Sequence, residues 1–361
     1  MRNTKKEKIE SFDYDELLTM DKNIFGLPFN AEESDIIIIP VPWDVTVSYN
    51  AGTADAPEDI KKASTLLDLF DYEYGNVWET GIYLEDISNY WQKENKNLRK
   101  KAQKYIDCIS QGHKAEEDTT FNKIIKDINN KSDALNKWVE EKSLSYLNKN
   151  KIVGILGGEH SVPLGLIRAL CKKHKSFSIL QIDAHADLRN GYEGFEYSHA
   201  SVMHHALKEK NISKLIQAGV RDIAHKELKR IEDEPQRIHT FFDYDIKNRQ
   251  LKGTSWDSIT QDIISKLEGA VYISFDIDGL EPSLCPNTGT AVPGGLTFNQ
   301  VCYLLKQIIK HNKKIIGFDL CEVGHNKRTD WDANVGARIL FKLCAAAAVS
   351  NGLYGGGARV D

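Results

Sequence analysis

The chain alternates between short unbroken apolar runs and longer stretches in which apolar residues recur every three or four positions. Residues 34–42 (SDIIIIPVP) form the first run, β-branched, closed by proline and too short for a helix. Comparable runs follow at 152–156, 178–182, 215–220, 271–276 and 315–320. Most are continuous rather than alternating, as strands covered on both faces require. Between them the spacing predicts helices, among them 57–69, with proline suited to a first helical turn, and 121–147, with apolar residues at 121, 124, 125, 128, 135, 138 and 139. This alternation predicts an α/β fold in which a mainly parallel sheet lies between helical layers, with ligands gathered at the carboxyl ends of its strands.

Two regions depart from the rhythm. Residues 1–33 read as a polar N-terminal extension, and residues 74–120 as a polar insertion rich in Lys, Glu and Asn with weak helical spacing. Both are read as parts of one domain spanning 1–361, the insertion presenting a solvated helical face or a subunit contact. No repeat of solenoid period is present.

Composition narrows the function classes. Acids and bases are mixed along the chain and the net charge is −5, so the basic stripe of a nucleic-acid binder is missing. No apolar run approaches the roughly 20 residues of a membrane span, and the first residues (MRNTKKEKIESFDYDE) lack the apolar stretch of a signal peptide, which gives a cytoplasmic expectation. The six cysteines (Cys108, Cys171, Cys285, Cys302, Cys321, Cys344) show no CxxC spacing and read as reduced core thiols.

The candidate chemistry lies where apolar runs end. Asp183-Ala184-His185-Ala186-Asp187 leaves the run 178–182, and residues two apart in extended chain point the same way, so Asp183, His185 and Asp187 converge. Such a cluster repels itself unless a cation neutralises it. Asp276-Ile277-Asp278 repeats this after the run 271–276. Asp13/Asp15, Asp243/Asp245 and Asp330/Asp332 share its spacing; what separates Asp276/Asp278 is the apolar lead-in and the Gly-Leu-Glu-Pro exit. Gly157-Gly158-Glu159-His160-Ser161 ends a third strand, its glycines allowing a sharp turn that swings His160 inward. Six ligands, His160, Asp183, His185, Asp187, Asp276 and Asp278, are too many for one tetrahedral zinc and suit two divalent ions roughly 3.5–4 Å apart. His199, in Tyr-Ser-His-Ala-Ser, is either a proton relay or a structural histidine. Glu322, after the run 315–320, is either a partner for a cationic substrate or an internal salt-bridge or helix-dipole partner.

In this order these segments resemble the ureohydrolases: arginase, agmatinase, formimidoylglutamase, guanidinobutyrase and guanidine hydrolase. The resemblance runs from about Ser34 onward through Pro42, Asp44, Tyr49 and Gly52, the GGEHS turn, DAHAD, SHAS, SFDIDGLEP, the segment 293–297 and Glu322. It implies a three-layer α/β/α arginase-like fold, assembly into homo-oligomers (trimers or hexamers), and two manganese ions. It further implies that His160, Asp183, Asp187 and Asp276 hold one ion and Asp183, His185, Asp276 and Asp278 the other. His199 would then shuttle protons, Glu322 receive the guanidinium and Asp187 orient the nucleophile. The chemistry agrees, because a resonance-stabilised guanidinium resists plain water and two cations can acidify the attacking water from a pKa of about 15.7 to near neutrality.

Departures bear on substrate. Glu159 stands where the family commonly has aspartate, Val-Gly-His follows Glu322 in place of x-Asn-Pro, and the loop 187–195 lacks the short polar residues with which arginases take an α-carboxylate. The insertion, Pro42-Trp43-Asp44-Val45-Thr46 and the loop 192–199 are most similar to the agmatinase-annotated branch that contains guanidine hydrolases. That resemblance implies free guanidine or a small guanidino substrate, with nickel in place of manganese allowed by the imidazole and carboxylate donors. The alternatives are an agmatinase, then an arginase or formimidoylglutamase, a deacetylase-like zinc enzyme, or an inactive scaffold on the same fold.

Overall fold

A computed structural model describes residues 4–16, 18–19, 21–113 and 118–354. Eight strands form one sheet: β1 (Ile36–Val41), β2 (Ile82–Leu84), β3 (Ile152–Gly157), β4 (Phe177–Ile182), β5 (Ile212–Ala218), β6 (Ile238–Phe241), β7 (Ala270–Asp276) and β8 (Ile315–Cys321). Their spatial order is β2-β1-β3-β8-β7-β4-β5-β6, and every neighbouring pair is parallel. The chain thus builds β3 and β4 first and later inserts β7 and β8 between them, so that four separate strand ends open side by side at the centre of one rim.

The unbroken apolar runs have a simple cause. Ile36 and Ile38 of β1 enter one core while Ile37 and Ile39 enter the other, and β3 and β7 divide their side chains in the same way. Both faces are therefore dry, and full burial of each such side chain contributes about 1.5–3 kcal/mol. The first core is covered by the helices Ala56–Ala63, Trp256–Ser265, Phe298–Lys310 and Trp331–Ser350, and the second by Asn89–Ser110, Thr119–Leu147 and Leu164–Lys173. The architecture is a three-layer α/β/α sandwich, as the alternation of runs predicts. Trp331–Ser350 has the length and mean hydropathy of a membrane span, but it is a core helix packed against the sheet, with most of its residues buried.

Three expectations are corrected. The helix read over 57–69 stops at Ala63 and passes into a short 3-10 turn, Ser64–Leu66, where Ser64 donates back to the Lys61 carbonyl. The N-terminal extension is not wholly polar, since Ile24, Phe25, Leu27 and Phe29 are buried in the first core. The polar stretch 74–120 contributes the edge strand β2 and a 22-residue helix capped by Ser88. Its buried stripe is Trp91, Asn95, Leu98, Ala102, Tyr105 and Ile106. Asn95 and Ala102 carry little hydrophobic signal, which is why the spacing looked weak. The cysteines are free, with Cys285, Cys302, Cys321 and Cys344 buried.

Candidate metal centre

The central strands β3, β8, β7 and β4 each deliver chemistry at the same rim. Beyond β3, Gly158 packs so closely that a Cβ there would lie 2.1 Å from the Trp43 carbonyl oxygen. Only glycine permits that approach, and the turn it allows carries His160 inward. His160 Nδ1 lies 3.0 Å from Asp183 Oδ2, 2.9 Å from Asp187 Oδ2 and 3.4 Å from Asp276 Oδ2. On the other side of Asp183, His185 Nδ1 is 3.1 Å from Asp278 Oδ2 and 3.6 Å from Asp183 Oδ1. Two potential ligand groups result, His160/Asp183/Asp276 and Asp183/His185/Asp278, each with its donor atoms within 4.8 Å of one another and with Asp183 common to both. Asp187 stands beside the first group through its contact with His160. All six residues singled out from the sequence meet in this volume.

Electrostatics shows what such a cluster needs. Burial and the neighbouring Asp183 push the Asp187 carboxyl up to about 7, and burial with Asp278 and Asp183 pushes Asp276 well above the usual carboxylate range. Burial alone would deprotonate the imidazoles, yet Asp278 and Asp183 hold His185 up to about 12, and carboxylates hold His160 well above its ordinary value. Without a cation, then, the site gathers protons. Two polar atoms in its interior, His160 Nδ1 and Asp187 Oδ2, have no hydrogen-bond partner among the described residues. Imidazole and carboxylate donors converging around orphaned atoms fit divalent cations.

The ligand set is held from behind. His160 Nε2 meets Ser274 Oγ at 2.9 Å, the Asp278 amide donates to Asp276 Oδ1 (2.9 Å), and the Ala184 amide donates to Asp278 Oδ1 (3.0 Å). A polar file crosses three strands: Thr240 Oγ1 donates to Gln217, Gln217 Nε2 to Gln181, and Gln181 Nε2 to Asp183 Oδ2, at 2.7, 2.6 and 2.7 Å. Gln181 and Gln217 are wholly buried, the first two links are registered cross-strand pairs and the last runs along β4 to its exit, so the file fixes the Asp183 carboxylate along the plane of the sheet.

Glu322 follows β8 in left-handed backbone (φ 61°), as does Asp187 (φ 54°). Its Oε1 accepts from the His160 amide at 2.9 Å, while Oε2 is buried without a partner. No cation pairs with it among the described residues, which removes the internal salt-bridge reading. His199 is half-buried; burial and the nearby His185 and His160 lower its pKa to about 3, and its Nδ1 is also unpartnered. Glu159 touches no member of the cluster: it accepts from the Thr46 amide and hydroxyl (2.7 and 2.8 Å) and from Ser161.

A cavity of about 150 Å³ opens over His185, Asp187 and His199. Its walls include residues that sequence reasoning did not single out: Ser48, Arg189, Tyr192, Asp222 and Thr290. The Arg189 guanidinium stacks 4.7 Å from the Tyr192 ring, and that ring meets His199 edge-on at 5.8 Å. Asp222 is exposed, and its carboxylate has no hydrogen bond or ion pair among the described residues. It lies four residues beyond β5, bridged in parallel to His185 beyond β4, so no strand-exit pattern announces it.

Comparison with known proteins agrees with this geometry. The model of the arginase family matches residues 34–346. The N(1)-aminopropylagmatine ureohydrolase of Thermus thermophilus is 30% identical over 302 residues, 82% of this chain and 84% of its own. An agmatinase of Bacillus anthracis is 28% identical over 293 residues, covering 81% and 84%. Among solved structures, agmatine ureohydrolase of Thermoplasma volcanium superposes with a TM-score of 0.65 at 24% identity over 90% of this chain and 94% of that one. Arginase from Bacillus cereus gives 0.62 at 19% identity, over 85% and 97%. These two likenesses bear on the fold.

Proposed function

The chain belongs to the arginase family and is a hydrolase of C–N bonds, and from that premise we propose that it releases urea from a guanidino compound bearing a second cationic group, a guanidinoamine of the agmatine type. One observation carries the choice. The site offers carboxylate oxygens that no described residue partners on two side chains, Glu322 Oε2 beside the ligand cluster and Asp222 at the cavity mouth, which suits a substrate charged at both ends. The names of the relatives point the same way. Free guanidine is the second reading, favoured by the small cavity.

On this reading His160, Asp183, Asp187 and Asp276 hold one divalent ion, and Asp183, His185, Asp276 and Asp278 the other. When bound, the pair supplies an acidified water and charge stabilisation at the guanidino carbon. Glu322 Oε2 receives the guanidinium and sets its plane, with Oε1 anchored by the His160 amide. On this reading His199, with its Nδ1 unpartnered beside the cluster, relays a proton to the departing amine. Asp222 takes the distal ammonium, and Tyr192 and Arg189 close the side of the cavity.

The test is urea release by manganese- and nickel-loaded enzyme from agmatine, aminopropylagmatine, guanidine, arginine and guanidinobutyrate. Turnover of the two guanidinoamines above the rest is expected. Turnover of guanidine alone would overturn the proposal in favour of the second reading.

A further inference from the structure

The helix Asn89–Ser110 supplies no wall of the cavity, yet one of its ridges grips the segment from which Ser48 enters it. Trp91, Asn95 and Arg99 are four residues apart and so share a face. Trp91 packs edge-on against Trp43 with ring centroids 6.0 Å apart. Asn95 accepts from the Asp44 amide at 2.8 Å and donates to Asp44 Oδ1 at 2.9 Å. Arg99 Nη1 donates to two loop carbonyls, Val45 O at 3.1 Å and Val47 O at 2.5 Å. The ridge continues down the helix: Arg99 Nη2 donates to Gln103, and Gln103 donates to Asp107, so the guanidinium is aimed before it meets the loop.

Thr46, between the two gripped carbonyls, connects this ridge to the site. Its amide and hydroxyl both donate to Glu159, in the turn that carries His160, and its hydroxyl oxygen accepts from the His199 amide at 3.3 Å. Trp43 O accepts from the Glu159 amide (2.8 Å), and Ser48 donates to Glu193 across the mouth (3.0 Å). Helix, loop, turn and His199 form one mechanical series, which meets the ligand set only through the turn that carries His160.

We propose that this helix is a brace for the reaction and that Arg99 is its positioning residue, holding residues 43–48 so that His199 and the cavity mouth keep their places. The proposal rests on the urea-releasing reading for its kinetic arm and on geometry alone for its structural arm. Arg99 is chosen by its fork: a guanidinium spans two carbonyls and a glutamine at once, whereas an ammonium is a point donor.

The test compares wild type with Arg99→Ala, Arg99→Lys and Gln103→Ala, each checked for bound metal per chain. Amide exchange over 43–48 is expected to quicken in Arg99→Ala, with the core helix Trp331–Ser350 unchanged and metal content retained. kcat/KM should fall on the order of tenfold to a hundredfold, the scale of a misplaced catalytic group. Arg99→Lys should recover part of both effects. Gln103→Ala, which leaves the core intact, should show a weaker form of each. Unchanged exchange over 43–48 in Arg99→Ala overturns the brace, and so does quickened exchange with wild-type kcat/KM. Wild-type silence on every guanidino compound strikes the substrate reading instead, and loop exchange in the same samples still decides the brace.

Discussion

Asp276 and Asp278 at the end of β7 carry the same three-residue pattern as Asp243 and Asp245 just beyond β6, and both pairs follow apolar strand residues. Their fates differ because their strands differ. β7 is paired on both sides, so its exit opens among three other strand ends, and Asp276 and Asp278 face imidazoles and carboxylates from β3 and β4. β6 pairs only with β5 at the edge, and its exit turns directly into the helix Asp243–Leu251. There Asp243 accepts from the Gly295 amide at 3.1 Å with Lys247 3.8 Å away, while Asp245 is exposed in the first turn, where a helix dipole favours acids. An acid pair becomes a site when topology surrounds it with more of its own charge. It becomes a tie between segments when topology supplies donors.

The sharpest way to break this comparison is Asp276→Ala. It should cut urea release by more than the ~10²-fold typical of losing a group that merely supports a ligand, and should lower metal stoichiometry; wild-type turnover with two ions retained would erase the distinction between the pairs. A second test removes the metal and varies pH. Asp187 is raised to about 7 and His185 to about 12 in the metal-free chain. For a raised carboxyl, stability is fully present below its unfolded value near 4 and is lost as pH rises through about 7. For the raised histidine it is lost from about 6.5 upward, so the two trends have the same sign. Lowered histidines such as His199 act in the opposite sense only below about pH 6.5, so the thermal midpoint of chelated protein should fall from about pH 6.5 to pH 8, and that of metal-loaded protein much less. Equal slopes would show that no cation offsets the cluster. The smallest effects belong to the other pair. Asp243→Ala should cost about 1–2 kcal/mol of stability by stranding the Gly295 amide, and Asp245→Ala within about 0.5 kcal/mol, both with unchanged urea release per bound metal in denaturation and activity assays.

Much of the fold was legible because parallel strands buried on both faces write themselves as unbroken runs, and SDIIIIPVP or VYISFD has no other economical reading. The convergence at the rim was legible for the same reason: an apolar lead-in fixes which end of the segment reaches the opening. What escaped depended on partners far along the chain. β2 is only Ile-Tyr-Leu, and nothing local announces that Ile36 to Ile38 will pair with it. Asn95 is buried because Asp44 satisfies it, and no periodicity rule scores an asparagine as core. Asp222 and Tyr192 matter through the cavity they share, which exists only once β4 and β5 stand side by side.

Asp187 bears one further consequence. Its backbone is left-handed and its carboxyl is buried beside Asp183 with only the His160 imidazole as an ionic contact, two costs of about 1–3 kcal/mol each that glycine would relieve at a stroke, while its carbonyl would go on accepting from the Met203 and His204 amides. On the proposed reading, a screen for heat resistance alone would drift toward glycine here and return a sturdier, silent protein with every other contact in place. Durability and turnover compete for this one position.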